Sequence, residues 1–196
     1  MSQPILTVAN QLTLLRLTLV PAVVAMVLSG EFTWALVAFV VAGVTDLLDG
    51  LIARLGHQKT TLGAFLDPVA DKVLLSSSFI ALTWASQLHV RIPAWLTVTT
   101  LSRDAIILIA VAAINLTYGR RVFLPSLLGK LSTVAQVVTA GAVLLLNAMM
   151  DDFPPIRYLF LLTLALAVGS GVHYVYLASK PRVTSPPTAD DVSGSR

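Results

Sequence analysis

The sequence predicts an all-α integral membrane protein with six transmembrane helices. Of its 196 residues, 56% are hydrophobic and only 12% are charged, whereas about a quarter of the residues in soluble domains are charged. The mean hydropathy is +0.84, and long apolar runs recur along the chain. Because roughly 20 consecutive apolar residues cross the hydrocarbon core once, each run predicts one crossing. This composition argues against a soluble globule, a coiled coil or a disordered chain.

Six apolar segments account for nearly the whole chain. They span residues 10–28, 32–55, 62–85, 92–117, 127–149 and 155–178. The first is expected to be retained, because Arg16 interrupts its apolar run and no small-residue cleavage site follows. Residues 4–13 have the mixed polarity of a short interfacial helix. We predict one membrane domain over residues 1–179 and a disordered tail, rich in Pro, Ser and Thr, over residues 180–196.

The charges of the connections predict the orientation, because cytoplasmic loops carry an excess of Lys and Arg. One side holds Arg54, Lys59, Arg120, Arg121, Lys130, Lys180 and Arg182. The other side holds Arg91 and Arg157 beside the acidic Glu31, Asp151 and Asp152. Six crossings then place both termini in the cytoplasm. The net charge of +3 is spread over these connections, which favours membrane topology over nucleic-acid binding. The absence of cysteine excludes disulfides and thiolate chemistry.

Acidic residues within the predicted second segment indicate a functional site. A carboxylate at membrane depth is costly unless something neutralises it. Asp46, Asp49, Gly50, Ala53 and Arg54 stand at i, i+3, i+4, i+7 and i+8. This spacing places all five on one face of a helix.

The third segment carries a similar face. Gly63, Asp67 and Asp71 stand at i, i+4 and i+8. Because the connection over residues 56–61 is short, the second and third helices are expected to form an antiparallel hairpin whose marked faces meet near the cytoplasmic end. Four carboxylates would then converge.

Converging carboxylates within a membrane retain protons, recruit basic partners or bind divalent cations through hard oxygen ligands. Four carboxylates suit two Mg²⁺ or Mn²⁺ ions, which would leave coordination positions for phosphate oxygens. Small residues at positions 50, 53 and 63 would let a bulky ligand approach. The alternatives are an ion-coupled transport site or a structural network for the aspartates, helix packing for the glycines, and a positive-inside anchor for Arg54.

The complete pattern resembles the motif of the CDP-alcohol phosphotransferase family at every position. It reads Asp46-x2-Asp49-Gly50-x2-Ala53-Arg54-x8-Gly63-x3-Asp67-x3-Asp71. Residues 10–16, 66–72 and 129–133 also look like segments of the phosphatidylglycerophosphate synthase and cardiolipin synthase branches. The resemblance therefore covers roughly residues 5–178.

The resemblance implies a homodimeric six-helix enzyme of phospholipid biosynthesis. Such an enzyme transfers a phosphatidyl group from CDP-diacylglycerol to a glycerol-type hydroxyl and releases CMP, with two divalent cations at the cytoplasmic face. Its metal ligands would be Asp46, Asp49, Asp67 and Asp71, with Asp71 also the general base. Its nucleotide and diphosphate contacts would be Asp49, Gly50, Ala53, Arg54 and Gly63.

Basic residues outside the motif are candidates for acceptor binding. Arg103 and Asp104 lie near the middle of the fourth segment and need partners inside the bundle. Arg103 could join Arg120, Arg121 and Lys130 in a pocket for an anionic acceptor.

Glycerol 3-phosphate is the first choice of acceptor, and phosphatidylglycerol, which would give cardiolipin, is the second. The glycerophosphate-using branch is expected to carry Arg-Glu where this chain has Arg103-Asp104, a pair more similar to the cardiolipin-forming branch. A cation-coupled membrane carrier is the alternative from another class. It needs the buried acids but not the Ala-Arg pair or the glycine spacing.

Overall fold

A computed structural model shows an all-helical chain. It describes the backbone of residues 8–56, 61–118, 127–151 and 153–179, and the side chains of residues 14–46, 70–109, 127–151 and 153–174. Six helices occupy this part of the chain: α1 (Val8–Leu28), α2 (Phe32–Gly56), α3 (Thr61–Trp84), α4 (Ala94–Tyr118), α5 (Leu127–Met149) and α6 (Ile156–Ser179).

The six predicted segments are confirmed as helices, and their ends agree to within about two residues, the usual uncertainty of a helix end. Residues 8–13 are the first turns of α1 rather than a separate interfacial helix. The predicted tail over residues 180–196 lies outside the described residues.

A tight turn after α1 sets the direction of α2. The Gly30 amide donates to the Val27 carbonyl and the Glu31 amide donates to the Met26 carbonyl, which is the Schellman arrangement at a helix end. Gly30 has a φ of +79°, and the Gln87 side chain occupies the space that a Cβ would need. Only glycine fits this position, and α2 turns back to pack along α1.

At the centre of the bundle, α5 packs against α2, α3 and α6. Its buried residues recur at intervals of three and four, so they form one continuous face. They are Ser132, Ala135, Gln136, Thr139, Ala140, Val143, Leu144 and Asn147. Many are small, which lets the neighbouring backbones approach closely.

The bundle buries polar groups and exposes apolar ones. Two arginines and a set of Ser, Thr, Gln and Asn side chains are buried, whereas large apolar side chains are exposed on all six helices. Among the described residues, Leu127–Met149 and Ile156–Tyr174 are long and apolar enough to cross a membrane. Extensive exposed apolar surface marks contact with a membrane or another protein.

The predicted hairpin of α2 and α3 is described only in part. Among the described residues, α1 packs against both helices. The side chains of residues 47–69, which carry most of the two marked faces, lie outside the described residues, so the meeting of these faces stays a prediction. Where both helices are described, α1 supplies a cation to each of them, as shown below.

Asn147, at the end of α5, fixes the connection between α3 and α4. Its side-chain oxygen accepts hydrogen bonds from the backbone amides of His89 and Val90, at 2.7 and 3.1 Å. Its side-chain nitrogen donates to the carbonyls of Val90 and Val143, at 2.8 and 2.7 Å. The side chain is 1% exposed, so these bonds satisfy peptide groups in a buried place.

We expect Asn147→Ala to lower the free energy of unfolding by about 2–4 kcal/mol, because it removes four hydrogen bonds and leaves loop amides without partners. The measurement is the apparent melting temperature of the purified chain in detergent, which should fall by about 5 °C or more. The control is Met149→Ala, since Met149 is an exposed neighbour. Equal shifts in the two variants would contradict this role for Asn147.

Candidate active site

Arg16 of α1 joins the carboxylates of two other helices. One guanidinium nitrogen lies 3.0 Å from Asp46 Oδ1 on α2, and the other lies 2.6 Å from Asp71 Oδ1 on α3. The forked guanidinium suits such a bridge because its donors are planar and fixed. Two of the four aspartates singled out by the sequence are therefore brought together around one cation.

This bridge is buried on one side and open on the other. Arg16 is completely buried, whereas the side chains of Asp46 and Asp71 are 43% and 39% exposed. Among the described residues, one arginine faces two carboxylates, and both carboxylates keep accessible surface. This arrangement suits a ligand that carries positive charge.

The remaining motif residues lie on the same two helices. Asp49, Gly50, Ala53 and Arg54 belong to α2, and Gly63 and Asp67 belong to α3. Their side chains lie outside the described residues. Among the described side chains, no three acidic or histidine residues form a group that could hold a metal, and the convergence of all four aspartates stays a prediction.

A second group of charges links α3, α4 and α6. Asp104 Oδ2 lies 2.6 Å from Lys72 Nζ, and Asp104 Oδ1 lies 2.6 Å from Arg103. Arg103 also donates a hydrogen bond to the Ser170 hydroxyl of α6. Arg103 is 8% exposed and the Asp104 side chain is 11% exposed. The expectation that the charges of Arg103 and Asp104 find partners inside the bundle is confirmed.

The two groups of charges meet on α3, because Asp71 belongs to the first and Lys72, the next residue, belongs to the second. A single helix therefore carries one carboxylate of the candidate site and one cation of the neighbouring group. Displacing α3 would disturb both.

The predicted acceptor pocket is described only in part. Arg120 and Arg121 lie outside the described residues. Lys130 is exposed in the first turn of α5. The helices that carry Arg103 and Lys130, α4 and α5, make no direct packing contact in the described ranges. A pocket that joins these four residues stays a prediction.

Arg16, Lys72 and Ser170 were not among the predicted site residues. Arg16 and Lys72 had a signal, because a basic residue within an apolar segment needs a partner. That signal does not identify the partner, which depends on the packing of separate helices. Ser170 had no signal, since a lone serine in an apolar helix is ordinary.

The described part of the site fits a divalent metal ion by its chemistry. Carboxylate oxygens are the ligands that Mg²⁺ and Mn²⁺ prefer. Asp46 and Asp71 approach from different helices and keep part of their surface accessible. These two residues, with Asp49 and Asp67, are the ones that would hold the ions.

Comparison with a protein family decides what this site belongs to. The CDP-alcohol phosphatidyltransferase family model matches residues 6–172, a range that contains α1 to α5, most of α6 and both groups of charges. The chain belongs to the CDP-alcohol phosphatidyltransferase family. Members of this family are membrane-associated and generally use divalent metal ions. The resemblance noted in the motif is therefore confirmed.

Curated relatives within the family carry two kinds of name. The chain is 36% identical over 152 residues to a rat protein named "Cardiolipin synthase (CMP-forming)", covering 69% of this chain and 49% of that protein. A Streptomyces coelicolor protein of the same name is 38% identical over 117 residues, covering 57% and 53%.

A Mycobacterium tuberculosis protein named "Probable phosphatidylglycerophosphate synthase" is 38% identical over 146 residues, covering 70% of this chain and 65% of that protein. The chain spans about half the length of the first curated relatives that it matches. The names differ in the acceptor, so similarity alone leaves both acceptors of the sequence analysis in place.

We expect Arg16→Gln to destabilise this family member by about 1–3 kcal/mol, less than the 3–5 kcal/mol typical of a fully buried pair, because both carboxylates are partly exposed. Arg16→Lys should recover only part of this loss, because a point charge lacks the fork that reaches both helices. The measurement is thermal unfolding in detergent with a chelator.

The control for Arg16 is Arg91→Gln, since Arg91 is exposed and bonds only the Ser86 carbonyl among the described contacts. Equal melting temperatures for Arg16→Gln and Arg91→Gln would contradict the bridge. Adding Asp71→Asn to Arg16→Gln should restore part of the stability, because it removes one uncompensated carboxylate.

Proposed function

We propose that this chain is an integral membrane enzyme that transfers a phosphatidyl group from CDP-diacylglycerol to a glycerol-type hydroxyl and releases CMP. The observation that carries the proposal is the bridge by which Arg16 holds Asp46 and Asp71 together within a chain of this family. The names of the relatives agree with this reaction class. We further propose that the active chain is a homodimer, as the resemblance implies.

In the proposed reaction, Asp71 accepts the proton of the acceptor hydroxyl. The hydroxyl oxygen then forms a bond to the phosphorus of the phosphatidyl group, and the bond from that phosphorus to the CMP oxygen breaks. A base within hydrogen-bond reach of the attacking hydroxyl typically contributes a factor of about 10²–10⁴. Arg16 orients Asp71 by holding one of its oxygens and leaving the other free of this contact.

Asp46, Asp49, Asp67 and Asp71 would hold two divalent cations, which when bound supply positive charge to the phosphate oxygens and the leaving group. Gly50, Ala53 and Gly63 would leave room for the cytidine nucleotide. Arg54 would contact its diphosphate. These assignments follow the family motif and extend the part of the site that Arg16 organises.

The acceptor is the finer part of the proposal. Glycerol 3-phosphate, a small dianion, needs several free cationic donors, but the two terminal nitrogens of Arg103 already bind Asp104 and Ser170. Phosphatidylglycerol carries one negative charge and is also held by its acyl chains, so it needs fewer donors. The engagement of Arg103 therefore favours phosphatidylglycerol, with cardiolipin as the product, over glycerol 3-phosphate, which the sequence placed first.

The direct test supplies the purified chain with CDP-diacylglycerol, Mg²⁺ and one acceptor at a time. The acceptors are phosphatidylglycerol, glycerol 3-phosphate, serine and inositol phosphate, and the lipid product is identified by mass spectrometry. We expect cardiolipin from phosphatidylglycerol. Release of CMP with none of these acceptors would reject the proposed function.

The same assay tests whether CMP release requires a divalent metal ion. Because acidic oxygens form the site, CMP release is expected to stop in excess EDTA and to return with added Mg²⁺ or Mn²⁺. The control is EDTA that has been saturated with Mg²⁺ beforehand, which should leave the rate unchanged. Undiminished turnover in free chelator would contradict the two-cation proposal.

Asp71→Asn tests the base. The substitution keeps the size of the side chain but removes the proton acceptor, so we expect turnover to fall by about 10²–10⁴. The melting temperature should show that the variant remains folded. The control, Asp151→Asn, changes an exposed acid outside the site and should retain activity. An Asp71→Asn variant with more than about a tenth of the original rate would exclude this residue as the base.

The proposed orientation has both termini and the active site at the cytoplasmic face, with six crossings. Gln58→Cys and Gly119→Cys each introduce a single thiol into a chain that has none. An impermeant thiol reagent should label them only after lysis, whereas Ser86→Cys, in an exposed connection on the other side, should react in intact cells. The opposite labelling would invert the orientation.

A further inference from the structure

An apolar groove of about 650 Å³ runs between α4 and α6, a volume typical of ligand sites (roughly 300–1,000 Å³). Val98 and Ile106 line it from α4, and Val168 and Val172 line it from α6. All four side chains are about half exposed or more. The groove therefore opens on the outer, apolar surface of the bundle, where a lipid chain would lie.

One cation lines this apolar groove. Arg103 is 8% exposed. Its two terminal nitrogens bind Asp104 and Ser170. Its Nε is buried and has no hydrogen-bond partner among the described residues. A buried donor without a partner is rare and costly, so Arg103 keeps one donor that the described residues do not satisfy.

The charges around Arg103 do not balance. Arg103 and Lys72 share the single carboxylate of Asp104, one oxygen each. Counted by itself, this group has one more positive than negative charge, and it lies beside an apolar groove. A singly charged anion with an apolar part would match both the charge and the groove walls. A phospholipid phosphodiester has this combination.

We propose that the groove between α4 and α6 binds an anionic phospholipid of the bilayer, with its phosphodiester at Arg103 and an acyl chain between the two helices, and that this lipid is the phosphatidyl acceptor. The inference rests on the proposed function and assigns the binding site of its acceptor. Asp104, which binds Arg103, also binds Lys72 of α3, the residue that follows Asp71.

Two glycines of α6 provide a matched test. A Cβ at Gly171 would meet only the Arg103 side chain, at 3.6 Å, which is ordinary contact, and a Cβ at Gly169 would meet nothing within 4 Å. Gly171→Leu therefore fills the groove beside Arg103 without a backbone clash. Gly169→Leu adds the same side chain to the same helix outside the groove lining.

The kinetic measurement is CMP release at saturating CDP-diacylglycerol with phosphatidylglycerol varied in mixed micelles. Gly171→Leu and Arg103→Gln are each expected to raise the KM for phosphatidylglycerol at least tenfold and to change the KM for CDP-diacylglycerol less than twofold. Gly169→Leu should change neither. Val172→Phe, at an exposed groove position, is a second filling variant should Gly171→Leu fail to fold.

The binding measurement needs no turnover. The purified chain is equilibrated with equal amounts of phosphatidylglycerol and phosphatidylcholine, and retained lipid is counted by native mass spectrometry. We expect selective retention of phosphatidylglycerol. Gly171→Leu should no longer retain lipid. Arg103→Gln should retain both lipids without selecting phosphatidylglycerol. Gly169→Leu should retain phosphatidylglycerol selectively, like the original chain.

The possible failures are distinct. A chain that releases no CMP with any acceptor rejects the proposed function, while lipid retention still decides the groove. Turnover with glycerol 3-phosphate but not with phosphatidylglycerol overturns the acceptor role. Unchanged retention in both filling variants overturns the lipid site. If Gly171→Leu loses the dimer but still retains lipid, the groove is an interface between two copies of the chain. This result also overturns the lipid site.

Discussion

A buried arginine that needs negative partners organises the cytoplasmic-side architecture proposed for this chain. Arg16 has no exposed surface, and it lies in the helix that packs against both α2 and α3. Burying a guanidinium is tolerable only when carboxylates and hydrogen bonds compensate it. Asp46 and Asp71 provide the carboxylates, which at the membrane depth that we propose for them would be costly without a cation. The three residues therefore require one another, and this requirement fixes how α1, α2 and α3 meet.

The excess of carboxylate over arginine separates a functional site from a structural ion pair. A balanced pair would have one carboxylate for one cation, whereas among the described residues Arg16 faces two, Asp46 and Asp71, and both are partly exposed. The neighbouring group around Asp104 has the opposite imbalance, because Lys72 and Arg103 share one carboxylate. Two adjoining regions of opposite charge suit a reaction between a metal-bound diphosphate and an anionic acceptor. Their junction at Asp71 and Lys72 places the proposed base between them.

The helices pack less closely and expose more apolar surface at α4 than around α5. Around α5, small and polar residues pack closely, and Asn147 ties the outer connection to the helix end. By contrast, α4 packs only against α3 and α6 in the described residues, and large side chains such as Ile106, Leu108 and Ile109 are exposed along it. A helix with few described packing partners, beside a groove lined by Arg103, fits the lipid site that we propose there.

The sequence by itself determined the all-helical class, the bounds of the helices, the family and the aspartate motif, because apolar run length and i, i+3, i+4 spacing are local properties of the chain. It also showed that Arg103 and Asp104 need partners. Only the tertiary structure decided which partners these are and that α1 packs against both α2 and α3. Such contacts join residues far apart in the chain, 55 positions for Arg16 and Asp71 and 67 for Arg103 and Ser170. Hydrophobic periodicity specifies which face of a helix is buried but carries no information on which helix covers it.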